Sequence, residues 1–297
     1  MQALISATAP ERPRPASPAV GGPFELAGSF YHDGFRLAYT EYGAGESLVV
    51  LTHGLLMSRR MHKPLAEDLA GRGFRVVTLD LLGHGDSDRP AESWRYSMTT
   101  YAGQVLALLD HLGAGTAVVG GTSLGANVAL EVAVRAPDRL RGLVVEMPVL
   151  DNAVFAGLLA FPPLLFAARF TPAVVRAVAG VASLVPHGNQ WVDVITDTLS
   201  QRPEPMAAVL HGLMFGRLAP PRGLRREIAP PTLVIGHAGD PVHPFGDADT
   251  LARDIPAAEF VQARSPVELR LDPGRLTDTI VNFIARCYSG AASRMPV

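Results

Sequence analysis

The chain has 297 residues, of which 48% are hydrophobic and 18% charged, enough for one large α/β unit or two small domains around a sizeable core. Its 26 basic and 28 acidic residues leave a formal net charge of −2 without long charge blocks, so there is no electrostatic footprint for nucleic acid. The single cysteine, Cys287, excludes an intrachain disulfide and a cysteine-rich metal site and suits a reducing cytoplasm.

Residues 1–23 carry Pro10, Pro13, Pro15, Pro18 and Pro23 among small residues. That composition opposes a packed helix and predicts a tail ahead of a folded region at residues 24–297. Leu4-Ile5 is too short for the apolar run of a secretory signal, so export by that route is not expected. Residues 28–32 and 35–42 predict a hairpin around Asp33-Gly34. Short β-branched runs at residues 48–52, 75–79, 116–119, 142–145 and 232–235 predict buried parallel strands, followed by a last strand at 259–263. Between them, residues 100–112 place Val105, Leu108, Leu109 and Leu112 on one helix face, and residues 124–134 form another helical pattern. This alternation predicts an α/β fold: a mostly parallel twisted sheet covered by helices on both faces.

From about 151 to 226 the alternation stops, and helix-like stretches are punctuated by Pro172, Pro186, Pro203, Pro205 and Pro220-Pro221. An inserted helical cap is expected there, roofing the carboxyl ends of the strands where open α/β sheets bind ligands. Its apolar content predicts an apolar pocket. The longest apolar stretch, residues 153–168, is interrupted by Pro162-Pro163 and is shorter than the roughly 20 residues that span a bilayer. It predicts a buried or interfacial helix pair rather than stable membrane insertion.

Gly121-Thr122-Ser123-Leu124-Gly125 has the form G-x-S-x-G, which places a serine on a strained strand-to-helix turn with its hydroxyl above the sheet edge. In a chain with 29 glycines the pattern alone has little specificity. Its context supplies it: Val118-Val119-Gly120 forms the strand before Ser123 and residues 124–134 the helix after it.

With three further segments the chain resembles the α/β-hydrolase superfamily, especially its cap-bearing esterase and lipase-like members, over residues 28–287. His53-Gly54-Leu55 follows a strand; the resemblance implies that the Leu55 and Leu124 amides form an oxyanion hole, with His53 and Gly54 beside the substrate. Asp80-Leu81-Leu82-Gly83-His84-Gly85-Asp86-Ser87 looks like the family's architectural loop, which makes His84 structural. Asp240, in Gly236-His237-Ala238-Gly239-Asp240-Pro241-Val242-His243-Pro244, stands where the family places its acid. The family's histidine follows the last strand. Here Pro273 and Phe283 keep the spacing of related chains, and counting back from Pro273 puts Pro266 at the histidine position.

Proline accepts no proton, so the base must come from elsewhere. His243, three residues after Asp240, is the best candidate; His211 in the cap is a weaker one. His32, His62, His111 and His187 are expected at the surface or in loops, and His237 to point away. Glu146, on an apolar strand, is an alternative acid, because a carboxylate buried there needs a function or a partner.

The expected function is hydrolysis of an ester or related acyl small molecule by Ser123 with an atypical or relocated base, and the apolar cap implies an apolar substrate. The alternative is a non-hydrolytic member of the fold, a ligand-binding module or a lyase- or cyclase-like enzyme. Serine at the nucleophile position disfavours dehalogenase and epoxide-hydrolase chemistry, which forms its covalent intermediate on a carboxylate. No cofactor and no metal are expected, since there is no dinucleotide fingerprint and no metal-ligand spacing.

Overall fold

The computed structural model describes residues 24–182, 184–185, 192, 196, 198–240 and 243–290. The expected tail at 1–23 and His187 lie outside them. Strands β1 (Glu25–His32) and β2 (Phe35–Tyr42) pair antiparallel across Asp33 at φ 49° and Gly34 at φ 82°, the positive φ pair that a two-residue hairpin turn requires.

Strands β3 (Leu48–Thr52), β4 (Arg75–Leu79), β5 (Ala117–Thr122), β6 (Leu140–Glu146), β7 (Thr232–His237) and β8 (Ala258–Ala263) complete an eight-stranded sheet in the order β1-β2-β4-β3-β5-β6-β7-β8. From β4 to β8 every neighbouring pair is parallel. Strands β5, β6 and β7 outrun the predicted apolar segments. Their ends carry Gly121, Thr122, Glu146 and His237, which lie outside those apolar runs but keep the ladder, with Thr122 opposite Glu146 and His237 opposite Ala263.

Alternate side chains of each strand face opposite layers. On one face Val49, Leu51, Val76, Val118 and Leu233 pack with Leu65 and Leu69 of α1 (Lys63–Gly71) and Ile280 and Phe283 of α10 (Gly274–Ser289). On the other, Val50, Val77, Val119, Val145 and Val234 meet α2 (Met98–His111), α3 (Leu124–Arg135) and α8 (Phe245–Asp254). Cys287 is buried in α10, against Gly142.

Between β6 and β7 the described elements are helical: α4 (Val154–Phe170), α5 (Pro172–Ala182), α6 (Pro203–Met214) and α7 (Arg222–Arg225). The break expected at Pro162-Pro163 falls elsewhere. Helix α4 runs through both prolines, and the chain turns by 100° at Thr171. The residue before a proline avoids the helical region, and Thr171, preceding Pro172, leaves it at φ −125° while its hydroxyl donates to the Ala167 carbonyl. No single described helix is long and apolar enough to cross a membrane.

Candidate active site

Ser123 joins β5 to α3 at φ 55° and ψ −109°, a conformation an L-residue holds only when its surroundings enforce it. The flanking glycines show how. A Cβ on Gly121 would stand 2.4 Å, and one on Gly125 2.1 Å, from the Thr52 carbonyl oxygen, so the turn seats against β3 only with glycine at both positions. The Ser123 amide donates to the Glu146 carbonyl at 2.9 Å, which extends the β5–β6 ladder to Ser123.

The loop after β7 brings a histidine and an aspartate to this serine. The Ser123 hydroxyl lies 2.9 Å from His243 Nε2, and His243 Nδ1 lies 2.9 Å from Asp240 Oδ2. The His243 amide also donates to Asp240 Oδ1 at 3.0 Å, so both carboxylate oxygens hold the same residue. This local Asx-type turn fixes the ring. With the carboxylate accepting from Nδ1, the proton sits there and Nε2 faces the hydroxyl as an acceptor. The structure thus brings Ser123, Asp240 and His243 together.

Leu55 and Leu124 line the cavity that opens at Ser123. The Leu124 amide is the first of α3, one of those a helix leaves without an intrahelical partner. His53 and Gly54, expected at the pocket, are buried behind it and do not line it. His53 Nδ1 donates to the Gly54 carbonyl at 2.8 Å and Nε2 accepts from the Leu81 amide at 3.1 Å. Burial holds this imidazole below its ordinary pKa, and its role is to brace the loop that presents Leu55. His84, also buried, packs 4.7 Å from the His53 ring and donates from Nδ1 to the Leu82 carbonyl.

Glu146 is directed elsewhere than to His243. Its carboxylate pairs with the Arg270 guanidinium and accepts from the Thr122 hydroxyl, which in turn accepts from Arg270 Nη2 at 2.6 Å. Both side chains of the pair are buried, at 5% and 8% exposure. Arg270 comes from α9 (Glu268–Leu271), just beyond the turn that contains Pro266. The segment after β8 therefore sends a cation beneath the elbow. Sequence reasoning missed Arg270; the need of a buried carboxylate for a partner was its only signal.

The remaining histidines lie apart from the serine. His211 is exposed and packs at a tilt against Phe215, and His237 Nε2 donates to the Arg264 carbonyl. His62 corrects its surface assignment: it is buried, donates to the Thr52 carbonyl at 3.0 Å, and is pushed down to about 4 by burial and the neighbouring Arg270.

The cavity at Ser123 and His243 lies between α3 and helices α4 and α6, which contribute Phe161, Leu210, Leu213 and Met214. Asp247 ties the segment before α4 to the start of α8. Its buried carboxylate accepts from the amides of Leu150, Asn152 and Ala153 and from the Asn152 side chain, at 2.8 to 3.0 Å. It therefore anchors the segment leading into α4, where an anion at a helix N-terminus is favourable.

Comparison with known proteins agrees with the fold. Residues 47–265 match the family described as alpha/beta hydrolase fold, and the chain belongs to that family. The fold is shared with the enol-lactonase from Burkholderia xenovorans LB400, at TM-score 0.71 and 22% identity over 87% of this chain and 100% of that one. It is also shared with a thermophilic esterase from Thermogutta terrifontis, at TM-score 0.68 and 24% identity over 90% and 99%. In sequence, the chain is 36% identical over 114 residues to a putative non-heme haloperoxidase of Mycobacterium phage D29, spanning 38% of this chain and 40% of that relative.

Proposed function

We propose that the protein is a serine-dependent hydrolase of an ester or related acyl small molecule, with residues 151–226 acting as a cap over the site. The observation that carries this reading is the continuous chain of contacts from Ser123 Oγ through His243 to Asp240, each 2.9 Å long. In the reaction, Ser123 attacks the acyl carbon while His243 Nε2 takes the hydroxyl proton. Asp240 holds the imidazole in the required tautomer and stabilises the imidazolium that forms. The Leu55 and Leu124 amides receive the developing oxyanion. His243 then protonates the leaving oxygen, and water, activated by the same imidazole, releases the acid from Ser123.

The base in this reading shares a loop with the acid, so the segment after β8 is free for another task. Glu146 supports the elbow through Arg270 and Thr122 rather than serving as the acid. Fluorophosphonate labelling of the wild-type protein beside Ser123→Ala and His243→Ala, with turnover of short p-nitrophenyl esters, tests the proposal. Labelling of wild type that is lost in both variants is the expected result. A wild-type protein that neither labels nor turns over an ester belongs to the non-hydrolytic alternative.

A further inference from the structure

The cavity at Ser123 carries a statement about the substrate, which rests on the hydrolase reading above. It encloses about 120 Å³ and, among the described residues, is lined apart from Ser123 and His243 by apolar side chains and one amide, Asn127. Both N–H donors of that amide are committed. Its Nδ2 donates to the carbonyls of Val149 and Leu218, each at 2.7 Å, and its Oδ1 accepts from the Val149 amide at 3.1 Å. Asn127 therefore stitches the inner wall shut and offers a ligand little. Arg217 and Arg270, near by in the fold, do not line the cavity and are paired with Glu131 and Glu146.

We infer that this cavity is an acyl pocket for an uncharged, apolar acyl group of about four to six carbons, and that it rejects acyl groups ending in a carboxylate. The size follows from comparison with apolar cavities of about 150 Å³, which take a single benzene ring. The orientation follows from His243. Its imidazole must protonate the leaving oxygen and lies at the rim, with 17% of its side chain exposed, so the leaving group faces outward and the acyl chain runs inward. The charge selectivity follows from the lining: beyond Ser123 and His243, a carboxylate taken into it loses its water and meets, among the described residues, no cation and no unspent side-chain donor.

The test compares kcat/KM for p-nitrophenyl esters from acetate to decanoate, and for the hemiglutarate against its near-isostere 5-methylhexanoate. Values should rise by about fourfold per methylene while the chain is being buried, then fall beyond about six carbons. The hemiglutarate should be at least about 100-fold poorer than its isostere. Met214→Arg, which puts a cation on a half-buried wall position at the end of α6, should raise hemiglutarate turnover at least about 10-fold relative to the isostere. Its thermal melt and its rate of labelling by a small fluorophosphonate show whether it is folded and reactive; if it is not, the wild-type ratio alone decides. Equal turnover of hemiglutarate and isostere by a protein that labels at Ser123 overturns the inference and leaves the hydrolase reading intact. Absence of both labelling and turnover removes that reading, and the inference with it.

Discussion

At the scale of single residues, His243 owes its position to Asp240, three residues before it and bonded to both its ring and its amide. His243→Ala should therefore lower kcat by at least about 10³-fold, and Asp240→Asn by on the order of 10³- to 10⁴-fold, without change in the melting temperature beyond a few degrees. Steady-state kinetics beside thermal melts check both. Arg270 is expected to behave in the opposite manner. Arg270→Met leaves Glu146 buried without its cation, which costs about 3 kcal/mol, or about 6–12 °C in Tm for a chain of this size. The double substitution Glu146→Gln with Arg270→Met should recover part of that loss, and a Tm unchanged by Arg270→Met would remove the structural role assigned to the pair. The demand for such a partner is legible at Glu146, an acid at the end of an apolar strand. Its supplier is not, because Arg270 stands 124 residues further along the chain and local pattern carries no information at that range.

At the scale of elements, the strands and helices of the sheet are legible because their apolar spacing repeats every two residues in strands and every three to four in helices. The departures fall where that spacing is replaced by something else. Gly121 near the end of β5 and Gly125 at the start of α3 stand where β3 approaches too closely for a Cβ, so Gly125→Ala should displace the elbow and sharply lower Ser123 labelling, read by fluorophosphonate kinetics on the folded variant. The bend of the covering helices depends on Thr171 and Pro172 rather than on Pro162-Pro163. Asp247 fastens the start of this segment through four N–H donors. Asp247→Ala should cost about 3 kcal/mol and direct the first cuts of limited proteolysis into residues 151–226; a Tm within one degree of wild type would contradict that anchoring role.

At the scale of the whole molecule, three buried histidines make stability depend on pH. His53 and His84 are held below their ordinary pKa chiefly by burial, and His62 is pushed down to about 4. In the unfolded chain each takes up a proton near pH 6.5. Below that pH the unfolded state binds more protons than the folded one, so stability is full above about pH 6.5 and falls as the pH drops toward 4. For His62 alone the loss by pH 5 is on the order of 2 kcal/mol. Urea unfolding midpoints at pH 7.5 and 5 measure it, and His62→Asn should flatten the dependence; a midpoint independent of pH would show that these imidazoles are not held neutral.

The sequence by itself determined the α/β order, the serine at the elbow, and an acid and a histidine three residues apart on one loop. These are local: each is written in the spacing of residues that are neighbours along the chain. Only the tertiary structure decided that His243 meets Ser123, that Glu146 belongs to Arg270, and that His53 lies behind the pocket. Strands β5 and β7 are separated in the sheet by β6, a distance of about 10 Å. A contact across that gap depends on how the loop after β7 folds back over the sheet edge, and the packing of the whole sheet sets that path.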